Sequence, residues 1–206
     1  MGERGRLIAF EGIEGAGKST HLHLAAATLR AQGVAVVETR EPGGTPLGSE
    51  LRRLLMHQPQ APAPWAELLL YLADRAQHLD EVIEPALARG AVVLTDRFSA
   101  STIAYQGYAR QLDIETVIHL DALVRHGVRP ALTVVLDCPV AIGLRRARGD
   151  DRFHREEAAF HERVRAAFLA FARQEPERYR VIDAGGESER VQEDVLAAVR
   201  ECLRRQ

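Results

Sequence analysis

Lysine is almost missing from this sequence: of 27 basic residues, every one is arginine except Lys18. Where arginine is the default cation, a single lysine needs a specific reason, while a cluster of arginines is partly background. Cysteine is nearly as scarce. Cys138 and Cys202 lie far apart, without CxxC or Cys/His metal spacing, which excludes a disulfide framework and reads as reduced thiols in a cytoplasmic protein. An excess of one charge is also lacking. With 27 basic against 29 acidic side chains and a net charge of -2, nothing in the balance points to a duplex-binding face or a polybasic anchor, so neither nucleic acid nor a membrane is expected as partner. Residues 1–6 are short and charged and run into a strand-like stretch, too brief for a signal peptide or membrane span. Any anionic ligand has to be met by local charge.

What is present is enough for one core. The 206 residues, 46% hydrophobic, are expected to form a single domain over 1–206 with a small mobile appendage. Short apolar runs with strand character recur at 7–10 (LIAF), 34–37 (VAVV), 91–94 (AVVL), 132–136 (LTVVL) and 180–182 (RVI). Helical patterns fall between and around them at about 19–32, 46–57, 64–89, 112–126, 139–147, 155–174 and 188–205. Gly33 and Gly90 close two of these. Strands alternating with helices predict an α/β fold with a doubly wound, five-stranded parallel sheet covered on both faces. In such sheets ligands bind beyond the carboxyl ends of the strands, so the informative residues stand just after each apolar run.

After the first run comes Gly12-Ile13-Glu14-Gly15-Ala16-Gly17-Lys18-Ser19, followed by a helical pattern from about Thr20. The spacing is that of a phosphate-binding loop. Small residues let backbone N–H groups turn inward around phosphate oxygens, the helix presents its positive end, Lys18 reaches the outer phosphates, and Ser19 can ligate magnesium. The bland alternative is a glycine-rich turn. Against it stands the strand-to-helix context, and the chain's sole lysine falls where a compact ammonium is wanted. After the third run comes Thr95-Asp96-Arg97; an acid at a buried strand end beside such a loop can hold magnesium or its waters, the rival being a surface ion pair.

Four further segments carry a resemblance: REPGGT at 40–45, ADRAQ at 73–77, DRF at 96–98 and AYQG at 104–107. With the phosphate loop, in this order and spacing, the chain resembles the thymidylate kinases over nearly its whole length. The resemblance implies a nucleoside monophosphate kinase-like P-loop fold and transfer of the terminal phosphoryl group of ATP, with Mg2+, to dTMP. It implies that Arg40, Arg52 and Arg97 surround the acceptor phosphate, that Tyr71 stacks on the pyrimidine, and that Arg75 reaches its carbonyl edge. Ser101 and Thr102 would lie along the ring, Tyr105 beside the sugar where a 2'-hydroxyl would sit, and Glu14 toward the sugar and metal region. Outside that pattern Arg52 and Arg75 read as solvated ion pairs, Tyr71 as core, and Tyr105 as filler under a loop. The bacterial subtype, with no arginine in the phosphate loop, is the one resembled. It implies a homodimer and a lid at about 143–157 whose arginines act in transfer, Arg148 and Arg152 from the cluster Arg145, Arg146, Arg148, Arg152 and Arg155. His154, Ala131 and Ala109 depart from the pattern. His57, His78 and His126 read as helix-surface residues. The rivals are another small-molecule P-loop kinase and a nucleotide-binding switch without transfer.

Overall fold

The structure is a computed structural model that describes residues 4–58, 60–147, 153 and 156–205. Five parallel strands, β1 (Leu7–Glu11), β2 (Val36–Arg40), β3 (Val92–Asp96), β4 (Leu132–Asp137) and β5 (Tyr179–Asp183), form one sheet in the order β2-β3-β1-β4-β5. β1 is buried along its whole length. Its side chains alternate between two apolar layers, as strand geometry dictates. Ile8 and Phe10 join Leu22, Ala25 and Leu29 of α1 (Lys18–Ala31), while Leu7 and Ala9 join Val93 and the layer of Leu79, Ile83, Ala86 and Leu87.

β2 begins two residues later, and ends three later, than its apolar run suggests. Its pairing with β3 carries it through Glu38, Thr39 and Arg40, the last opposite Asp96, so backbone pairing and not apolar content sets its end. The loop 41–45 then leads to α2 (Pro46–His57), capped by Thr45, whose hydroxyl accepts from Gly48 N at 2.9 Å. The helix expected at 64–89 is α3 (Pro64–His78), a π-helical turn Leu79–Ile83, and α4 (Glu84–Ala88). Pro85 has no N–H and its ring crowds the preceding turn, and the wider turn lies directly before it. Residues 99–109, which show no helical period, form α5 (Ser99–Thr102) and a second π-helical turn, Ile103–Ala109. α6 (Ile114–Arg125), α7 (Val140–Arg146), α8 (Ala158–Gln174) and α9 (Ser188–Arg204) complete the layers. No helix among the described residues is long and apolar enough to cross a membrane.

Candidate functional site

A cavity of about 800 Å³ opens beyond the carboxyl ends of β1, β2 and β3. Its wall contains Glu14, Gly15, Ala16, Gly17, Lys18, Ser19 and Thr20 from the phosphate loop and Arg40, Arg52, Tyr71, Arg75, Asp96, Arg97, Ser101, Thr102 and Tyr105 from the other elements. Gly12 and Ile13 lie beneath the loop, where their carbonyls accept Lys18 Nζ at 3.0 and 2.8 Å. Ile13 itself is core. The loop approaches α7 so closely that a Cβ on Gly15 would lie 1.9 Å from Gly143 O, at a φ of +71°, so the position demands glycine.

Charge is concentrated where the loop meets β3. Burial, and after it the Arg97 guanidinium, brings Lys18 down to about 8. Ser19 Oγ is hydrogen-bonded to Asp96 Oδ2. Arg97 has a φ of +75°, a conformation that non-glycine residues adopt mostly where structure compels it. That conformation accompanies four contacts: Glu14 at 2.7 Å, Ser101 Oγ at 3.0 Å, Gly12 O at 3.3 Å, and the ring of Tyr105 with its centroid 4.8 Å away. Burial works against the Arg97 charge, but Tyr105, Glu14 and Asp96 hold it above the usual arginine range. Burial likewise pushes Glu14 up, yet Arg97, His161 and Lys18 outweigh it and keep this carboxylate well below its ordinary value. The Tyr105 hydroxyl donates to Glu14, 2.8 and 2.9 Å from its two oxygens.

The far wall differs. Arg52 donates to Pro42 O at 3.1 Å, and among the described residues neither Arg40 nor Arg52 has an ion pair with a carboxylate. Burial first, then the neighbouring Arg40, lowers the Arg52 pKa. Two neighbouring guanidiniums that lack a carboxylate partner among the described residues are chemically suited to an anion. Arg75 is the opposite case: it is 1% exposed and donates to Glu41 Oε2 from Nε (2.8 Å) and Nη2 (2.6 Å), to Thr102 Oγ1 (2.8 Å) and to Asp121 Oδ1 (2.6 Å). It is no solvated ion pair; one Nη2 hydrogen has no partner among the described residues, and Arg75 lines the cavity.

Several participants were not foreseen. Glu11, the last residue of β1, accepts the N–H groups of Phe98 and Ser101 and the Ser101 hydroxyl, and burial raises it to about 7; its place at a strand end was the available signal. Gln106, inside AYQG, lines the cavity and donates to Glu67 at 2.6 Å. His161 is fully buried, its Nε2 on Phe153 O at 3.1 Å and its Nδ1 3.2 Å from Glu14 Oε2, off the line of a good hydrogen bond. His78 corrects an expectation: it has 0% exposure and is no surface residue, because α3 turns it under the 41–45 loop onto Glu41 and Thr39. Of the arginine cluster, Arg145 bonds Ala141 O on its own helix, whereas Arg146 lines the cavity and donates to Ala184 O at 2.7 Å. Arg148, Arg152, His154 and Arg155 lie outside the described residues.

A parallel sheet of this order, with a phosphate-type loop at the end of its central strand, defines a P-loop nucleotide-binding fold. The family model described as thymidylate kinase matches residues 10–195. A thymidylate kinase of Pseudomonas entomophila is 52% identical over 205 residues, spanning 98% of both chains. One from Geobacter sulfurreducens is 51% identical over 189 residues, 87% of this chain and 89% of its own. The crystal structure of thymidylate kinase from Ehrlichia chaffeensis superposes with a TM-score of 0.79 at 35% identity, covering 96% of this chain and 99% of that one. The chain belongs to the thymidylate kinase family.

Proposed function

We propose that this protein transfers the γ-phosphoryl group of ATP to dTMP, giving ADP and dTDP. The observation that carries this reading is that one cavity is lined both by the phosphate loop with Lys18 and Arg97 and by Arg40 and Arg52, which have no carboxylate partner among the described residues. ATP phosphates lie along the N–H groups of 14–19, with Lys18 on the outer ones. Ser19 Oγ and Asp96 Oδ2, hard oxygens already in contact, fit magnesium, which binds such ligands together with waters. The ion, when bound, neutralises charge on the β- and γ-phosphates.

On the acceptor side Arg40 and Arg52 hold the monophosphate and Arg97 spans the gap. Tyr71 stacks on the pyrimidine, the free Nη2 hydrogen of Arg75 meets its carbonyl edge, and Ser101 and Thr102 line the ring. Tyr105, held by Glu14, walls off the 2' position. A phosphate monoester has a second pKa of about 6, so its attacking oxygen is ionised near neutrality and no general base is needed. Positioning and charge remain for the protein to supply, with Arg148 and Arg152 delivering the last of it from a lid at about 143–157. Assay of ADP release against dTMP, dUMP, UMP, CMP and AMP tests the reading: dTMP should give the highest kcat/KM, and a better acceptor among the others would overturn it.

We further propose a cytoplasmic homodimer. Leu47 and Leu54 on α2, Trp65 and Leu69 on α3, and Ile118 and Leu123 on α6 are all exposed, and these three helices pack side by side, an apolar face suited to a second copy. Light scattering on the purified protein decides it. Both cysteines are buried and unpaired, which suits a reducing compartment.

A further inference from the structure

The loop 41–45 joins β2 to α2, and with Arg40 before it and Arg52 beyond it builds the acceptor wall. One face of α3 holds this loop down. Asp74 Oδ1 accepts the N–H of Gly43 at 3.0 Å. One turn later, His78 Nδ1 lies 2.9 Å from Glu41 Oε1 and its Nε2 2.6 Å from Thr39 Oγ1. The fit is close: a Cβ on Gly44 would come within 2.5 Å of His78 Nε2. A carboxylate oxygen can only accept, so Nδ1 carries the proton toward Glu41; Nε2 faces a hydroxyl that is able to donate, and a neutral ring satisfies both contacts.

Glu41 is therefore shared, one oxygen on His78 and the other on Arg75. With His78 taken away, the carboxylate keeps Arg75 but loses the contact that sets its rotation, and both the guanidinium and the 41–43 backbone are free to shift. His78 does not itself line the cavity. None of its partners belongs to the phosphate loop.

We propose that His78 is a positioning residue for the acceptor, fixing through Nδ1–H the Glu41 carboxylate that aims Arg75 and seats the 41–45 loop. This rests on the reading of that wall as the dTMP site. Its signature is one-sided, on the acceptor and not on ATP, which a general loss of packing does not produce. The amide N–H of asparagine falls near the place of Nδ1, that of glutamine near Nε2, so the two substitutions separate the nitrogens.

The test measures KM for dTMP and for ATP, dTMP affinity by calorimetry, and Tm in wild type, His78→Phe, His78→Asn and His78→Gln. A hydrogen bond to a charged group is among the stronger kinds, and its loss in His78→Phe should raise KM and Kd for dTMP roughly tenfold or more, with KM for ATP changed less than about twofold. His78→Asn should recover most of that loss and His78→Gln little. Should the Phe variant not fold, the Asn and Gln pair alone decides. Unchanged dTMP affinity in the folded variants, equal behaviour of Asn and Gln, or a parallel rise in KM for ATP overturns the proposal. Failure of the wild type to bind dTMP would instead overturn the assignment of the acceptor.

Discussion

Lys18 is expected to take up a proton when ATP binds at alkaline pH. The protein's own groups bring its ammonium from 10.5 down to about 8, chiefly by burial, and the phosphates of ATP supply the opposite charge that restores it. At about 1.4 kcal/mol per tenfold change in proton affinity, full restoration is worth roughly 3 kcal/mol. The sign follows from the two protonation curves. Well below pH 8 the lysine is charged with or without ATP, and binding moves no proton onto it. Between about 8 and 10.5 the free protein loses the proton and the complex keeps it, so ATP affinity falls by up to roughly tenfold for each unit of pH. Glu11, at about 7, and Asp74, raised by burial to about 6, are both ionised well before pH 9 and do not contribute there. Calorimetry in buffers of different ionisation enthalpy should show most of one proton taken up at about pH 9, where the other raised groups are already ionised. Lys18→Ala should show none and should transfer phosphoryl at least about a hundredfold more slowly, and Lys18→Arg should also be poor because a planar fork fits the cradle badly. Wild-type affinity that stays level with no proton uptake at pH 9 would refute the coupling. Near-normal turnover by Lys18→Ala would remove the phosphate-loop role itself.

Three other outcomes are expected. Tyr105→Ala should relax discrimination against the ribonucleotide, measured as the ratio of kcat/KM for the two sugars; an unchanged ratio makes Tyr105 a packing residue only. Single alanine variants at Arg145, Arg146, Arg148, Arg152 and Arg155 should divide into those that lower kcat about a hundredfold at similar KM, expected at 148 and 152, and those that leave it alone. If none drops even tenfold, the lid arginines are background. Burial raises Glu11 from 4.5 to about 7, so the wild type loses roughly 3 kcal/mol of folding stability as pH climbs through that interval. Glu11→Gln cannot ionise and should lack this slope, and urea melts of both proteins at pH 5 and pH 8 with parallel changes would contradict it.

Local chemistry was legible in the sequence and tertiary pairing was not. The phosphate loop and Asp96 stand at the ends of buried strands, so periodicity and spacing were enough to find them, whereas REPGGT and AYQG were marked by the family resemblance. Arg75 carries no such mark: in a chain with arginine as its default cation, nothing local separates a buried guanidinium from a solvated one, and its partners Glu41 and Asp121 are 34 and 46 residues away. His78 was misread for the same reason, since helical spacing says which residues share a face but not what that face meets. The π-helical turn over Ile103–Ala109 was invisible because a widened turn breaks the 3.6-residue period used to recognise helices.

The buried charges around Arg75 have a consequence for how acceptor preference could change. The segment from Arg40 to His78 resembles an exchangeable cassette: it carries Arg40, Arg52, Tyr71 and the clamp on the loop, and its backbone meets the end of β3, where Glu41 N donates to Asp96 O at 2.9 Å. Yet Arg75 is also bonded to Asp121, and Asp121 to Arg125 at 2.6 Å. A graft of 40–78 alone would pair the imported arginine with whatever α6 its host supplies, and an unmatched buried charge costs several kcal/mol. The unit that can be traded between relatives is therefore discontinuous in the chain, bounded by which ionised groups cannot be parted and not by where a loop happens to begin.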